Sequence, residues 1–167
     1  NMVKVSLEQN IEKFIYTSTI DVFKAAKKEK FDERIIDPNP KGTHYERSKQ
    51  LADQLVSDAI KDGLNAVFLH PAGVYGPGPT DSPGTNAFIS DLYFNKIPVL
   101  LPGGYPFVFA PDVGEGHVLA EEKASIGDRF ILSDSYYDLP EMASIIMQAL
   151  NLNRKPFVIS YLEKNWS

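Results

Sequence analysis

The sequence predicts an α/β protein in which buried strands and helices alternate along the chain. Residues 13–17 and 64–69 are short apolar runs. The second run is too apolar for an edge strand, so it suits a parallel sheet that is covered on both faces. Between the two runs, residues 43–62 have the periodicity and the end signals of one long helix. This order of elements is typical of layered α/β folds.

The amino-acid composition excludes several classes of protein. The chain has 167 residues, of which 43% are hydrophobic and 23% charged, as expected for one globular domain. Its net charge of −5 offers no basic surface for nucleic acid or an anionic membrane. There is no cysteine, and no pair of histidines has a metal-ligand spacing, so no metal site is expected.

The expected location is cytoplasmic. The absence of cysteine fits a reducing compartment. No apolar run approaches the roughly 20 residues of a membrane span. Residues 1–9 lack the apolar centre and the cleavage site of a signal peptide.

The first half of the chain is predicted to contain a helix tail, a strand, a long helix and a second strand. Residues 2–7 look like the end of a helix, and the strand 13–17 follows. A polar connection over 20–41 includes a possible helical turn at 25–30. The proline- and asparagine-rich segment 37–42 then breaks regular structure before the long helix.

The long helix has clear signals at both ends. Thr43 is its predicted N-cap, and Glu46 three residues later completes a capping box. Gly63 marks its C-terminal end. One apolar side is expected to be buried, formed by Leu51, Leu55, Val56, Ala59 and Ile60.

The second half is divided by seven prolines between positions 77 and 111 into shorter elements. Asp112 is predicted to cap the middle one of three helices. These helices are expected at 86–94, 112–123 and 139–150, and strands at 99–101, 107–110, 129–132 and 157–160.

The start of the long helix carries a candidate catalytic pair, Tyr45 and Lys49. Residues four apart lie on the same face of a helix. A cation close to a phenol favours the phenolate and lowers the phenol's pKa from its usual value near ~10. Such a tyrosine can exchange a proton with a substrate oxygen near neutral pH. The spacing alone also fits a surface pair, so the neighbouring motifs decide between the two interpretations.

The hydroxyl residues Ser18 and Thr19 follow the first strand directly. The carboxyl edge of an open α/β sheet is where ligands bind. A hydroxyl group at that edge can donate a hydrogen bond to a substrate oxygen and share its developing charge with Tyr45. Thr19 is the preferred catalytic candidate, and Ser18 is the less favoured one.

These motifs together resemble the extended short-chain dehydrogenase/reductase family, also called the NAD-dependent epimerase/dehydratase group. The resemblance rests on the strand 13–17, the Ser-Thr pair, the Tyr-x-x-x-Lys helix, the strand 64–69 and Pro-Ala-Gly-Val-Tyr-Gly-Pro-Gly at 71–78, in that order. Within the family, the chain looks most like the dihydroflavonol-reductase-like branch.

The resemblance implies a partial Rossmann-type parallel sheet with a small C-terminal α/β substrate-binding lobe. Residues 1–78 would be the end of the NAD(P)-binding domain. Residues 79–167 would be mainly the lobe, interleaved with the core. The implied cofactor is NAD or NADP, the implied partner is a small-molecule substrate, and the intact protein is expected to be a homodimer.

The resemblance also implies roles for individual residues. Thr19, Tyr45 and Lys49 would be catalytic, and Lys49 would also bind the nicotinamide ribose. His70 stands where the family usually has arginine, and a packed, hydrogen-bonded histidine is expected there. The residues expected to contact the cofactor are Thr17, Ser18, Tyr45, Lys49, His70, Pro71, Ala72, Gly73 and Val74.

Three functions stay open at this point. The preferred one is hydride transfer between nicotinamide and an alcohol or ketone carbon of a small, largely apolar substrate. A nucleotide-sugar epimerase or dehydratase uses the same core, but there is no arginine between Arg47 and Arg129 to bind a diphosphate. The third is a non-catalytic relative that binds NAD(P).

One family motif is absent from these 167 residues. No glycine-rich loop of the Gly-x-Gly-x-x-Gly type follows a strand and opens a helix. That loop holds the dinucleotide pyrophosphate at a helix N-terminus. We therefore expect the isolated chain to be part of a longer enzyme, to bind neither NADH nor NADPH usefully and to be inactive.

Overall fold

The structure is a computed structural model that describes residues 2–24, 33, 36–78, 83–154 and 156–159. The predicted helical turn at 25–30 lies outside the described residues. The helices are α1 (Met2–Glu8), α2 (His44–Lys61), α3 (Thr85–Tyr93), α4 (Ala110–Lys123) and α5 (Leu139–Ala149), with a 3₁₀ turn at Ile20–Val22. The strands are β1 (Phe14–Thr17), β2 (Ala66–Pro71), β3 (Gly73–Tyr75), β4 (Val99–Leu100), β5 (Gly104–Phe109), β6 (Arg129–Leu132), β7 (Ser135–Asp138) and β8 (Phe157–Val158).

The chain forms two compact units. The first contains Asn1–Ala72 and Pro111–Leu132, and the second contains Gly73–Ala110 and Ser133–Ser167. The boundary predicted at residue 78 therefore falls inside the second unit, and the chain returns to the first unit after Ala110. The roles assigned to the two parts remain predictions.

The first unit is built on a parallel sheet with the strand order β1-β2-β6. All six residues of the central strand β2 are buried. Ala66 and Phe68 pack on one face with residues of α2, while Val67 and Leu69 pack on the other face with Ala120 of α4. This arrangement confirms the predicted α/β class with a parallel sheet covered on both faces.

Helix α2 begins and ends where the sequence predicts. The hydroxyl oxygen of Thr43 accepts from the Glu46 N–H at 3.1 Å, and the Glu46 carboxylate accepts from the Thr43 N–H at 3.0 Å. Gly63 follows the helix with a φ of 102°, a left-handed conformation that favours glycine. The capping box and the C-terminal signal are thus both confirmed.

The predicted buried side of α2 is partly wrong. Leu51 and Leu55 are 49% and 64% exposed. The stripe that faces the sheet runs through other positions of the helix, spaced by three residues, and two of them are polar. These buried residues are Gln50, Asp53, Val56 and Ala59.

The second unit contains a mixed sheet of order β3-β5-β7 and the parallel pair β4-β8. Its core contains Leu92, Leu100, Ala143 and Met147. Strands β3 and β7 escaped prediction because Gly-Val-Tyr and Ser-Tyr-Tyr-Asp are too short and too polar to stand out from loops.

Helix α4 starts earlier than predicted. Ala110 opens the helix instead of ending the preceding strand, and Asp112 lies in the first turn instead of at the N-cap. An acidic side chain in the first turn still interacts favourably with the helix dipole.

None of the described helices is long and apolar enough to cross a membrane, and the described His, Asp and Glu residues form no cluster that could hold a metal ion.

Lys13 links the start of β1 to the C-terminal end of α4. Its ammonium nitrogen donates to the carbonyl oxygens of Ala120 at 3.2 Å and Ala124 at 3.0 Å, and also to that of Glu121. The Ala120 carbonyl also accepts from the Ala124 N–H at 3.2 Å. The last carbonyl groups of a helix otherwise lack a partner within the helix, so a cation there satisfies them and interacts with the dipole.

We predict that Lys13→Met lowers the free energy of unfolding by about 1–2 kcal/mol, because the carbonyl groups lose a charged donor. Lys123→Met is the matched control, since this exposed lysine lies in the last turn of the same helix. Urea unfolding measures both variants. An equal effect of the two substitutions would show that only the net charge of this helix end matters.

Candidate active site

The capped start of α2 places Tyr45 in the first helical turn and Lys49 one turn later. Tyr45 is 57% exposed, so its phenol is accessible to a ligand. Its backbone carbonyl accepts from the Ser48 hydroxyl at 2.7 Å, which adds a local bond within this turn. The helix thus presents a phenol near its N-terminus and a lysine one turn later on the same face.

Lys49 is held against the carboxyl end of β1. Its ammonium nitrogen donates to the Thr17 carbonyl at 3.1 Å and lies 5.9 Å from the centroid of the Tyr16 ring. A lysine ammonium has three N–H donors. The Thr17 carbonyl accounts for one, which leaves donors for hydroxyl groups of a ligand.

Tyr16 is a second phenol close to Lys49, but its surroundings differ from those of Tyr45. Its ring packs edge-on against Phe68 at a centroid distance of 6.0 Å. Burial raises the pKa of Tyr16 above the ordinary value of 10.0. Tyr16 therefore keeps its proton at neutral pH and is a poor candidate for proton exchange.

Thr19 is buried, and its hydroxyl group already has partners. The hydroxyl donates to the Asp21 carboxylate at 2.9 Å and accepts from the Asp21 N–H at 3.3 Å. Thr19 is 6% exposed and caps the 3₁₀ turn Ile20–Val22. To donate to a substrate, its hydroxyl hydrogen has to rotate away from Asp21.

A hydrogen-bonded histidine secures the side chain of Thr17. His117 Nδ1 lies 2.7 Å from the Val113 carbonyl, and its Nε2 lies 2.8 Å from the Thr17 hydroxyl. A carbonyl only accepts, so Nδ1 carries the hydrogen, and in that tautomer Nε2 accepts from the Thr17 hydroxyl. Both the side chain and the carbonyl of Thr17 are therefore held in place.

His70 is fully buried near the end of β2. Its ring lies 4.5 Å from the Phe23 ring and 6.3 Å from the Phe68 ring, measured between centroids. Nδ1 is 3.2 Å from the Thr19 carbonyl oxygen. Desolvation by burial lowers the pKa of His70 to about 4, so the ring is neutral at neutral pH.

The buried Asp53 and the half-buried Arg129 form an ion pair next to His70. The guanidinium contacts both carboxylate oxygens, at 2.9 and 3.1 Å. It also donates to the Ser57 hydroxyl at 2.8 Å and to His70 Nε2 at 3.3 Å, and it lies 3.8 Å from the centroid of the Phe68 ring. This cluster was not predicted from the sequence, although an aspartate three residues before Val56 in α2 was a usable signal.

The segment after β2 is divided between the two units. Ser18 and Pro71 are buried, and Ala72 is 7% exposed with its N–H bonded to the Leu132 carbonyl at 3.0 Å. These three belong to the first unit, together with Thr17, Thr19, Tyr45, Lys49 and His70. Gly73 and the 42% exposed Val74 belong to the second unit.

Packing within the second unit explains the glycine at position 73. A Cβ atom there would lie 3.0 Å from Tyr105 Cδ1, and 3.1 Å from both Phe107 Cδ1 and Thr85 Oγ1. Gly73 is one of the residues that the family resemblance places against the cofactor. The neighbouring rings leave too little space for a Cβ atom, so glycine is required at this position even without a ligand.

A comparison with protein-family models identifies the family of this chain. The model of the NAD dependent epimerase/dehydratase family matches residues 1–132. The chain belongs to this family. The cofactor class of the family is NAD or NADP, and the resemblance inferred from the sequence motifs is confirmed at the level of the family.

The chain is similar to known proteins over part of their length. Sterol demethylase protein B of Methylococcus capsulatus is 26% identical over 102 residues, which are 60% of this chain and 31% of that protein. The solved structure of gox2253 is 24% identical with a TM-score of 0.88, covering 95% of this chain and 49% of that one. A nucleoside-diphosphate-sugar epimerase from Pseudomonas aeruginosa is 18% identical with a TM-score of 0.85, covering 95% and 53%.

The chain thus spans about a third of this curated relative and about half of the solved structures. At these identities the structural matches show the shared α/β Rossmann-like fold.

We predict that acidification destabilises the protein through His70. Between pH 6.5 and about 4 the unfolded chain binds a proton at this side chain and the folded chain does not. Stability is therefore full above pH 6.5 and falls as the pH drops towards 4. The loss from this group is about 2 kcal/mol between pH 7 and pH 5.

Urea unfolding at pH 7 and pH 5 measures this loss, which His70→Asn should remove. His44→Asn, on the exposed first turn of α2, is the control that keeps the buried histidine. An unchanged pH dependence in His70→Asn would contradict the prediction.

Proposed function

We propose that the protein is an NAD(P)-dependent oxidoreductase of the dihydroflavonol-reductase-like branch. It would transfer hydride between nicotinamide and an alcohol or ketone carbon of a small, largely apolar substrate. The observation that carries the proposal is the exposed Tyr45 phenol one helical turn before Lys49, whose ammonium is tethered to the carboxyl end of β1. Ligands bind at that edge in open α/β sheets.

In this proposal Tyr45 exchanges the proton of the substrate oxygen. On the same helix face, Lys49 provides positive charge that would stabilise negative charge as it develops during the reaction. Thr19 donates a second hydrogen bond once its hydroxyl hydrogen leaves Asp21. Positioned acid–base groups of this kind typically contribute ~10²–10⁴ in rate.

The donor groups at the strand ends fit the nicotinamide half of a dinucleotide. The spare N–H donors of Lys49 suit ribose hydroxyl groups, because its one bond to Thr17 holds the ammonium in place. Thr17, Ser18, Tyr45 and residues 70–74 are the further proposed contacts. When bound, the nicotinamide supplies or accepts the hydride itself.

The second unit supports a weakly polar substrate. An open cavity of about 390 Å³ lies there, lined by Tyr75, Gly76, Asn86, Ile89, Ser90, Tyr93, Phe94 and Leu150. The Tyr75 and Phe109 rings lie 5.4 Å apart between centroids. Aromatic and aliphatic walls with few polar groups favour a ligand of low charge.

A nucleotide-sugar epimerase or dehydratase is the second candidate. Its support is the fold shared with a nucleoside-diphosphate-sugar epimerase and with UDP-glucose 4-epimerases. Against it stands the lack of arginine between Arg47 and Arg129. The guanidinium of Arg129 is engaged by Asp53, Ser57 and His70, and so is not available to a diphosphate.

We predict that Tyr45→Phe in the full-length gene product reduces kcat by at least ~10²-fold, because the ring stays and only the proton carrier is lost. Tyr16→Phe is the matched control, since it removes the other phenol hydroxyl near Lys49 and should retain activity within about threefold. Steady-state NAD(P)H absorbance measures both. Activity of Tyr45→Phe close to that of the parent would refute the assigned mechanism.

Substrate class is tested with matched panels of apolar alcohols and ketones and of UDP- and dTDP-sugars. We predict turnover on the first panel and no saturable binding of the second below millimolar concentration, because clustered arginine forks are missing. Tight binding of a nucleotide sugar without turnover of any alcohol or ketone would support the second candidate. Binding of NAD(P)H without turnover on either panel would indicate the non-catalytic relative.

We also propose that the intact protein is a homodimer that pairs through α1 and α2. Val3 and Leu7 of α1 pack on the core beside α2. An apolar surface remains on the outside of these two helices, with exposed fractions between 49% and 74%. It consists of Met2, Val5, Leu51 and Leu55.

The predicted result is that Leu55→Glu shifts the protein to monomer at micromolar concentration, because a charge would be buried without a partner. Val118→Glu, at a 57% exposed position of α4, is the control and should leave the association unchanged. Sedimentation velocity measures both. A monomeric parent would contradict the proposal.

A further inference from the structure

A continuous series of polar groups, buried except for the half-buried Arg129, connects α2 to the end of β1. Asp53 of α2 pairs with Arg129 of β6, whose guanidinium contacts His70 Nε2 at 3.3 Å. His70 Nδ1 then lies 3.2 Å from the Thr19 carbonyl. Asp53, His70 and Thr19 are 2%, 0% and 6% exposed.

Each bond in the series has a defined direction. The Thr19 carbonyl can only accept, so His70 Nδ1 carries the hydrogen and Nε2 accepts from Arg129. A protonated ring would place a second donor opposite the guanidinium. The charged groups that face His70 are Asp53, Arg129 and Glu33, and the Glu33 carboxylate accepts from the Ile131 N–H at 2.9 Å.

The series joins the two elements that carry the proposed catalytic groups. Asp53 lies one helical turn beyond Lys49 on α2, so it is rigidly related to Lys49 and Tyr45. His70 holds the backbone of Thr19, whose hydroxyl group belongs to the same residue. Arg129 and His70 thus form one connection between the helix and Thr19, in addition to the direct bond from Lys49 to the Thr17 carbonyl.

The energetic cost of the Asp53–Arg129 pair indicates that these polar groups have a role beyond stability. Desolvating two charges is expensive, and well-packed apolar residues in place of a buried ion pair are often equally or more stable. A fully bonded polar network instead defines one geometry. At an active site a displacement of about 1 Å can cost ~10²-fold in rate.

We propose that Asp53, Arg129 and His70 form a positioning network that sets the place of Thr19 relative to Tyr45 and Lys49. The network acts through the Thr19 carbonyl and makes no contact with substrate. This inference rests on the proposed function, because Thr19 matters only if its hydroxyl group is used.

The first test compares two variants of His70 in the full-length gene product. His70→Phe keeps a flat ring between Phe23 and Phe68 but removes both ring nitrogens. His70→Asn keeps an N–H donor near the position of Nδ1. We expect His70→Phe to lower kcat about tenfold and His70→Asn to recover most of the loss.

A double-mutant cycle separates positioning from general destabilisation. If His70 acts through Thr19, then His70→Phe should change kcat by less than about threefold in a Thr19→Val background. If the two effects multiply instead, His70 does not act through the Thr19 hydroxyl and the proposal is overturned. Arg129→Lys, which keeps the charge but not the fork, should resemble a weaker His70→Phe.

Amide hydrogen exchange tests the network independently of turnover. The N–H groups of Asp21 and Val22 bond to Thr19, at 3.3 Å to its hydroxyl and 3.4 Å to its carbonyl. His70→Phe should speed their exchange about tenfold or more relative to Phe68, whose N–H bonds to Asp128 at 2.9 Å. His70→Asn should restore them.

The outcomes distinguish the two proposals. If the parent has no turnover, or Tyr45→Phe does not impair it, the proposed function fails, and the exchange experiment alone judges the network. Faster amide exchange in His70→Phe at Asp21 and Val22 alone then supports the positioning of Thr19 by the network. Equally faster exchange at Phe68, or unchanged exchange at Asp21 and Val22, overturns the positioning network.

Discussion

The complete burial of β2 is the constraint on which the first unit depends. Every residue from Ala66 to Pro71 is enclosed, so each face of the strand needs its own covering layer. Alternate side chains therefore pack against α2 on one face and α4 on the other. A polar residue in such a strand must find its partners inside the protein, because water cannot reach it.

His70 is that residue, and its partners determine much of the surrounding polar structure. Its ring bonds to the Thr19 carbonyl and to Arg129 and lies between two aromatic rings. The charge of Arg129 in turn requires Asp53, and the Phe68 ring adds a cation–π contact at 3.8 Å. The candidate site is thus attached to the most buried part of the unit rather than to a surface loop.

The groups of the candidate site differ in how firmly the structure holds them. Lys49 and Thr17 are held by direct bonds, and His117 fixes the Thr17 side chain. Thr19 is fixed by its backbone, but its hydroxyl hydrogen points to Asp21. Donation from Thr19 to a ligand would therefore require its hydroxyl hydrogen to rotate away from Asp21.

In the second unit, side-chain contacts hold the backbone of the segment that follows β2. Gly73 leaves room for the Tyr105 and Phe107 rings, and the Asn86 carboxamide bonds both the N–H and the carbonyl of Gly76. These contacts fix the backbone of the segment that follows β2. The rings that surround it leave an open, largely apolar cavity beside the same segment.

The sequence by itself determined the features that depend on neighbours along the chain. The α2 capping box, its glycine stop, the buried parallel strands and the four-residue spacing of Tyr45 and Lys49 all arise from local periodicity and backbone preference. The tertiary structure alone decided which distant groups meet. Asp53 and Arg129 are 76 positions apart and Thr17 and His117 are 100 apart, and Leu51 and Leu55 proved exposed while Asp53 was buried. Local pattern cannot choose such partners, because the pairing depends on strand order and on the helix face that the sheet covers.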